Sequence, residues 1–316
     1  MDKITKKLLL SVLTVVLTVG ALGTTTFAWF TLTNVASVEQ FEVDVVADEG
    51  IEMRLGNDDN EDTWVTVLTT EMIQEYITDV YGTLQLSGVT TDDGINFNSL
   101  GADELVGTGS GYLEIEIDFR SNSADTISWT DVSLDSDGVP FVPNADFTLT
   151  NDEDVSASDT SLGNFKAANA TRIAIEEQSG TDLDPVIYEL SGETIGTPVS
   201  GRTNNTYVGE QAGVDFTDDT TNEDFMNGAI SYYEAITNDV PFGSDEVSLP
   251  DTTDDIAGSP QNVLEMDEDH LGLTTHTYTG GIVIRVWLEG YDPDMYNAIL
   301  DDTIQIDFEF EGTDAE

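Results

Sequence analysis

No cysteine occurs in this chain, which excludes a thiolate nucleophile and a disulfide framework and leaves stability to an apolar core. Basic residues are also scarce. Nine lysines and arginines stand against 63 aspartates and glutamates, a formal net charge of −54. Such a chain repels nucleic acid and anionic lipid, and it attracts divalent cations and cationic partners. It repels itself as well, so a compact state needs counterions, supplied by saline surroundings or by bound divalent ions. The two histidines, His270 and His276, stand six positions apart and match no HExxH-type zinc spacing. There is no GxSxG elbow, no glycine-rich phosphate loop and no repeat of fixed period. Carboxylate pairs of the glycosidase kind can be drawn from so many acids at any spacing, and therefore carry no signal. The chain is not expected to be an enzyme.

The informative stretch is the beginning. Lys3, Lys6 and Lys7 precede an apolar run over 8–22 that is interrupted only by Ser11, Thr14, Thr18 and Gly20. Thr26 and Ala28 then fall at −3 and −1 of a cut before Trp29. This is the order of a secretory signal peptide over 1–28, and its apolar core is short of the roughly 20 residues of a spanning helix. A retained membrane anchor is the alternative, and with it a membrane contact through the uncleaved leader. The remainder, 29–316, is expected to fold outside the cytoplasm, secreted or at the cell surface. Disorder is the default for so acidic a chain, but 39% of residues are hydrophobic and aromatics are spread throughout. That length can bury a real core.

Strand patterns dominate. Phe41, Val43 and Val45 alternate with Glu42, Asp44 and Val46, and Ile51, Met53 and Leu55 share one face. Leu113, Ile115, Ile117 and Phe119 alternate with Glu114, Glu116 and Asp118, as in a strand with one solvated face. Further strands are predicted over 64–68, 127–134, 147–150, 167–175, 185–190, 280–290 and 303–310. Helical spacing of Met72, Ile73, Tyr76, Ile77 and Val80 predicts a short helix over 71–81, and a helical turn or two is expected within 225–236. Residues 90–111 read as a long loop, and 191–269 as a largely polar insertion. Many short strands with few helices predict a single all-β domain, an antiparallel β-sandwich.

Two loops concentrate oxygen ligands suited to calcium. The first is the acidic run 57–62 with Asp58, Asp59 and Asp62; the second is Asp135-Ser136-Asp137-Gly138. The second lacks the downstream bidentate glutamate of an EF-hand, and both read equally as solvated acidic loops. Asn169-Ala170-Thr171 and Asn204-Asn205-Thr206 fit the N-glycosylation pattern, which a chain rich in Asn and Thr also matches by chance. Trp64, Trp129 and Trp287 are the candidates for a carbohydrate platform.

Both ends carry a family resemblance. The start, KKLLLSVLTVVLTVGALGTTTFAWF, resembles the leaders processed by the SipW type of signal peptidase, in which a Gly/Thr-rich stretch precedes Ala and an aromatic pair. The usual Asp after that pair is replaced here by Thr31, Leu32 and Thr33. The end, VIRVWLEGYDPDMYNAI followed by IQIDFEF, resembles the closing strands of secreted proteins of the TasA and camelysin group. The resemblance implies a jelly-roll-like sandwich that assembles with copies of itself into an extracellular fibre or biofilm matrix. It implies that signal peptidase cuts between Ala28 and Trp29. It further implies that the freed segment 29–46, with Trp29, Phe30, Phe41, Val43 and Val45, is donated as a strand to the next subunit. Camelysin was named as a protease, but no metalloprotease motif is present. The alternatives from other classes are a cell-surface module that binds carbohydrate or calcium, and an exported hydrolase using a carboxylate pair.

Overall fold

The computed structural model describes residues 36–37, 41–47, 50–56, 63–100, 105–149, 154–160, 162, 164–178, 183–190, 228–237, 250–268, 278–292 and 294–314. The leader with Ala28, the residues Trp29 and Phe30, the loop with Asp58, Asp59 and Asp62, both histidines and most of 191–249 lie outside the described residues.

In chain order, the strands of the two main sheets are β1 (Phe41–Ala47), β2 (Ile51–Leu55), β3 (Val67–Leu68), β4 (Gly88–Thr91), β5 (Phe97–Leu100), β6 (Leu105–Thr108) and β7 (Leu113–Ser121). They continue with β8 (Ala124–Ser136), β9 (Thr171–Glu177), β10 (Val186–Glu189), β11 (Gln261–Glu265), β12 (Asp267–Glu268), β13 (Tyr278–Glu289) and β14 (Ile304–Asp314). Two helices accompany them, α1 (Thr70–Tyr81) and α2 (Ala229–Thr237). The first sheet has five strands in the order β11-β8-β14-β1-β3. In the second, β13 lies between β9 and β7; β10 extends the β9 side and β2 the β7 side. A three-stranded extension, β4-β5-β6, joins the end of β13, and β12 pairs with its beginning. The chain thus forms the all-β sandwich expected from its alternation. Most ladders are antiparallel, but β1 runs parallel to β14, from Phe41 opposite Ile304 to Ala47 opposite Phe310, and β4 runs parallel to the end of β13.

Alternation explains the core. In β7 the residues Leu113, Ile115, Ile117 and Phe119 face inward, and in β14 Ile304, Ile306, Phe308 and Phe310 do the same. Phe119 meets Phe310 edge-on at 5.5 Å between ring centres, and Trp129 of β8 meets Tyr188 of β10 at 5.9 Å, so aromatic pairs tie one sheet to the other. Fully burying one such side chain contributes about 1.5–3 kcal/mol. The turn from β1 to β2 carries the chain from one sheet to the other, and it reaches Gly50 at φ +100°, a conformation L side chains resist.

Helix α1 buries Ile73, Tyr76 and Ile77 on one side and ends at Gly82, whose N–H donates to the Thr78 carbonyl. Its tyrosines also close an edge. Where β2 has ended, the Tyr81 hydroxyl donates to the Glu114 carbonyl at 2.8 Å and accepts from the Glu114 N–H at 3.0 Å. The Tyr76 hydroxyl accepts from the Glu116 N–H at 3.4 Å. Main-chain groups of β7 that lack a neighbouring strand are satisfied by side chains.

Three segments depart from the sequence reading. The 90–111 stretch forms most of the β4-β5-β6 extension instead of a loop. Its apolar side chains Val89 and Phe97 pack with Ala174, Ile187, Trp287 and Tyr112 into a second small core on the outer face of the second sheet. Gly94 fits there because an added Cβ would lie 2.9 Å from Ile187 Cδ1. The polar insertion expected over 191–269 includes β11, an edge strand of the first sheet. Over 167–175, a 3-10 turn at Ala167–Ala170 precedes the strand.

Candidate functional site

The residues singled out for strand donation lie partly within the description. Phe41, Val43 and Val45 stand on β1, in ladder with β14 on one side. On the other side, among the described residues, Val45 and Val46 pair with a strand, opposite Leu68 and Val67. Val45 is buried, while Val46 is 41% exposed.

Of the calcium candidates, Asp135 and Asp137 are both solvent-exposed. Asp135 is already engaged by a cation, since the Lys166 ammonium lies 2.6 Å from its Oδ1. Partial burial pushes this carboxyl up, but the lysine and the Ser136 N–H outweigh it and hold Asp135 below the usual range. Gly138 does not offer its N–H to a ligand; it donates to Asp302 Oδ1 at 2.8 Å. Among the described residues, no group of three or more His, Asp or Glu is arranged to hold a metal ion. None of their helices is long and apolar enough to cross a membrane.

The tryptophans sit in packing. Trp129 and Trp287 are fully buried and Trp64 is 7% exposed. Trp64 packs against two guanidinium groups, with Arg54 4.7 Å and Arg120 4.4 Å from the ring centre. Those arginines continue across the ladder, Arg54 to Asp118 at 2.9 Å and Arg120 to Glu52 at 2.8 Å. Register explains the pairing, because Glu52 opposes Arg120 and Arg54 opposes Asp118. Further along the same outer face, Arg285 reaches Glu114 at 2.7 Å and Glu176 at 2.6 Å.

The most unusual chemistry is at the end of that face. Arg172 on β9 stands directly opposite Glu189 on β10 and forms an ion pair with it. Its Nη1 lies 3.4 Å from Glu289 Oε2, and its Nη2 lies 3.5 Å from Asp292 Oδ2. Glu289 also accepts from Trp287 Nε1 at 3.1 Å and from the Tyr291 N–H at 3.2 Å. The Asp294 N–H donates to Asp292 Oδ1 at 2.9 Å. None of these seven residues is more than 3% exposed. Burial pushes the Glu289 carboxyl up, although Arg172, Trp287, Tyr291 and Thr90 all favour its charged form. Sequence reasoning did not find this cage. Its members are far apart in the chain, and the legible signal was arginine inside a strand of a chain with nine basic residues.

No protein-family model matches the chain, and neither a curated protein nor a solved structure is significantly similar to it. The class is therefore defined by the two sheets themselves: an all-β sandwich with an acidic exterior.

Proposed function

We propose that this chain is a secreted structural protein that assembles with copies of itself into an extracellular fibre or matrix by donating its N-terminal strand to a neighbour. The observation that carries the reading is the placement of β1. It comes soon after the leader-like run, and it is held by seven ladder positions against β14 but by two against β3. The same residues of a second copy would satisfy the same hydrogen bonds, which is the logic of an exchanged element. The turn through Gly50 is the hinge at which the strand would leave its own chain. Export, with processing by a signal peptidase between Ala28 and Trp29, rests on the leader pattern and on the resemblance of both ends to the TasA and camelysin group. The second reading, a carbohydrate-binding surface module, is not favoured by the burial of Trp64, Trp129 and Trp287.

Negative-stain electron microscopy of the chain starting at Trp29, with and without calcium, tests this directly. Filaments are expected from it and not from a chain starting at Asp48, and a synthetic peptide spanning 29–47 should restore a folded monomer to the shorter chain. Stable monomers of the longer chain at every salt and calcium concentration would sink the assembly reading.

A further inference from the structure

We propose that α1 is a strap over a strand edge: held by the hydroxyls of Tyr76 and Tyr81, it closes the β7 edge at 114–116 and keeps out the same edge of a second copy. The inference concerns the second sheet and holds whether or not β1 is exchanged.

On one side β7 is paired along its whole length, with β13 running against it from Leu113 to Ser121. On the other side β2 ends its ladder at Leu55 opposite Ile117, and one further bond runs from the Gly56 N–H to the Glu116 carbonyl at 2.9 Å. Successive residues of a strand direct their main-chain groups to opposite sides, so those of Glu114 and Glu116 face away from β13. Left bare, such groups are a template for another strand. Here the Tyr81 hydroxyl takes both groups of Glu114, at 2.8 and 3.0 Å, and the Tyr76 hydroxyl takes the Glu116 N–H at 3.4 Å. A neutral hydroxyl can donate and accept at once. Burial pushes Tyr81 up to about 12, although its bond to the Glu114 main chain pulls the other way, so it keeps the proton that it donates.

The strap is held by docking and not by its own strength. A helix of 12 residues is marginal alone. Glu71 suits its positive end, but Thr69 makes no side-chain cap bond, and the last turn carries Asp79 and no basic residue to meet the negative end. Its buried residues are Ile73, Tyr76 and Ile77, and Gly82 follows at φ +69° as a joint. The excluded partner is defined by the edge itself. A second copy turned about a two-fold axis brings its Glu114 opposite this one, each N–H donating to the other's carbonyl. Such a pair is closed and stops at two, unlike a filament. Its glutamate carboxylates face each other across the new ladder, so it forms when salt screens them.

Amide hydrogen exchange, read residue by residue by nuclear magnetic resonance, compares the unaltered chain with its Tyr76→Phe/Tyr81→Phe variant, which keeps both rings. Ile115 and Ile117, in register with Ile284 and Ile282 of β13, report global stability. Each lost bond is worth about a two- to tenfold change in exchange. The expected result is exchange at Glu114 and Glu116 faster by about tenfold or more, with the Ile73 and Ile77 amides of α1 accelerated alike and Ile115 and Ile117 much less. Unchanged α1 amides would overturn the proposal, because the hydroxyls would then satisfy the edge without holding the helix. Sedimentation equilibrium in 1 M sodium chloride reads the exclusion. The variant should form a dimer at concentrations where the unaltered chain does not, and the dimer should dissociate at low salt. Faster exchange with no added dimer would overturn the exclusion. Should the variant not fold, exchange in the unaltered chain at low urea decides. A common opening of α1, Glu114 and Glu116 below the global one supports the strap, and opening only together with Ile115 and Ile117 overturns it.

Discussion

The outer faces of the two sheets solve the same electrostatic problem in opposite ways. On the second sheet, Arg54, Arg120, Arg172 and Arg285 each contact one or more carboxylates. On the first sheet, Asp131, Asp307, Glu309 and Glu311 stand exposed along β8 and β14, and among the described residues no ion pair reaches them. Asp131 even sits directly opposite Glu309. Lys166 beside Asp135 is the one described cation there. The difference follows burial. Asp118, Glu189 and Glu289 are at most 5% exposed, and in low dielectric an unpaired charge is far more costly than in water. Among the described residues, the four arginines stand where water is scarce, and the open face is left to salt.

The largest way to break this contrast is Arg172→Leu. It removes the guanidinium that Glu189, Glu289 and Asp292 contact in a buried space and should cost about 3–5 kcal/mol, read as a lower urea midpoint at pH 7 or as loss of the folded state. A loss under about 1 kcal/mol, the scale of an exposed pair, would show that the cage is hydrated. Arg285→Met comes next. It keeps the apolar stem but removes two charge-assisted contacts to half-buried partners, and about 1–2 kcal/mol should be lost, with little dependence on salt. The smallest effect has the opposite sign. Glu309→Gln on the open face should stabilise the chain by about 0.2–1 kcal/mol at low salt, because like charges face each other across the ladder. That gain should vanish in 1 M sodium chloride. An equal gain at both salt concentrations would mean that packing, not repulsion, governs the position.

Much of this frame is legible where one face of an element is wet. Leu113–Ser121 and Ile304–Asp314 alternate clearly because water lies on one side of each, and Thr70–Tyr81 shows helical spacing for the same reason. Legibility fails where both faces are dry or where the apolar partners come from elsewhere. The β4-β5-β6 extension looks like a loop because its strands are four residues each and Gly- and Asn-bearing; their burial depends on Trp287 and Tyr112. β13 is recognisable as a strand, but the outward position of Arg285, Trp287 and Glu289 is hidden because that face is buried too. The cage needs Arg172, Glu189 and Glu289 to meet across three strands, and no local pattern records such a meeting.

The parallel pairing of β1 with β14 sets a timetable. The chain is synthesised from its first residue, so β1 is made long before the strand that completes its ladder from Phe41 to Ala47. Until β14 arrives, the five-stranded sheet lacks its middle, and among the described residues β8 has no strand partner along Val132 and Leu134. Contacts so distant in sequence form late and slowly. The chain is thus kept from closing early, and the arrival of β14 decides the moment at which the sandwich locks.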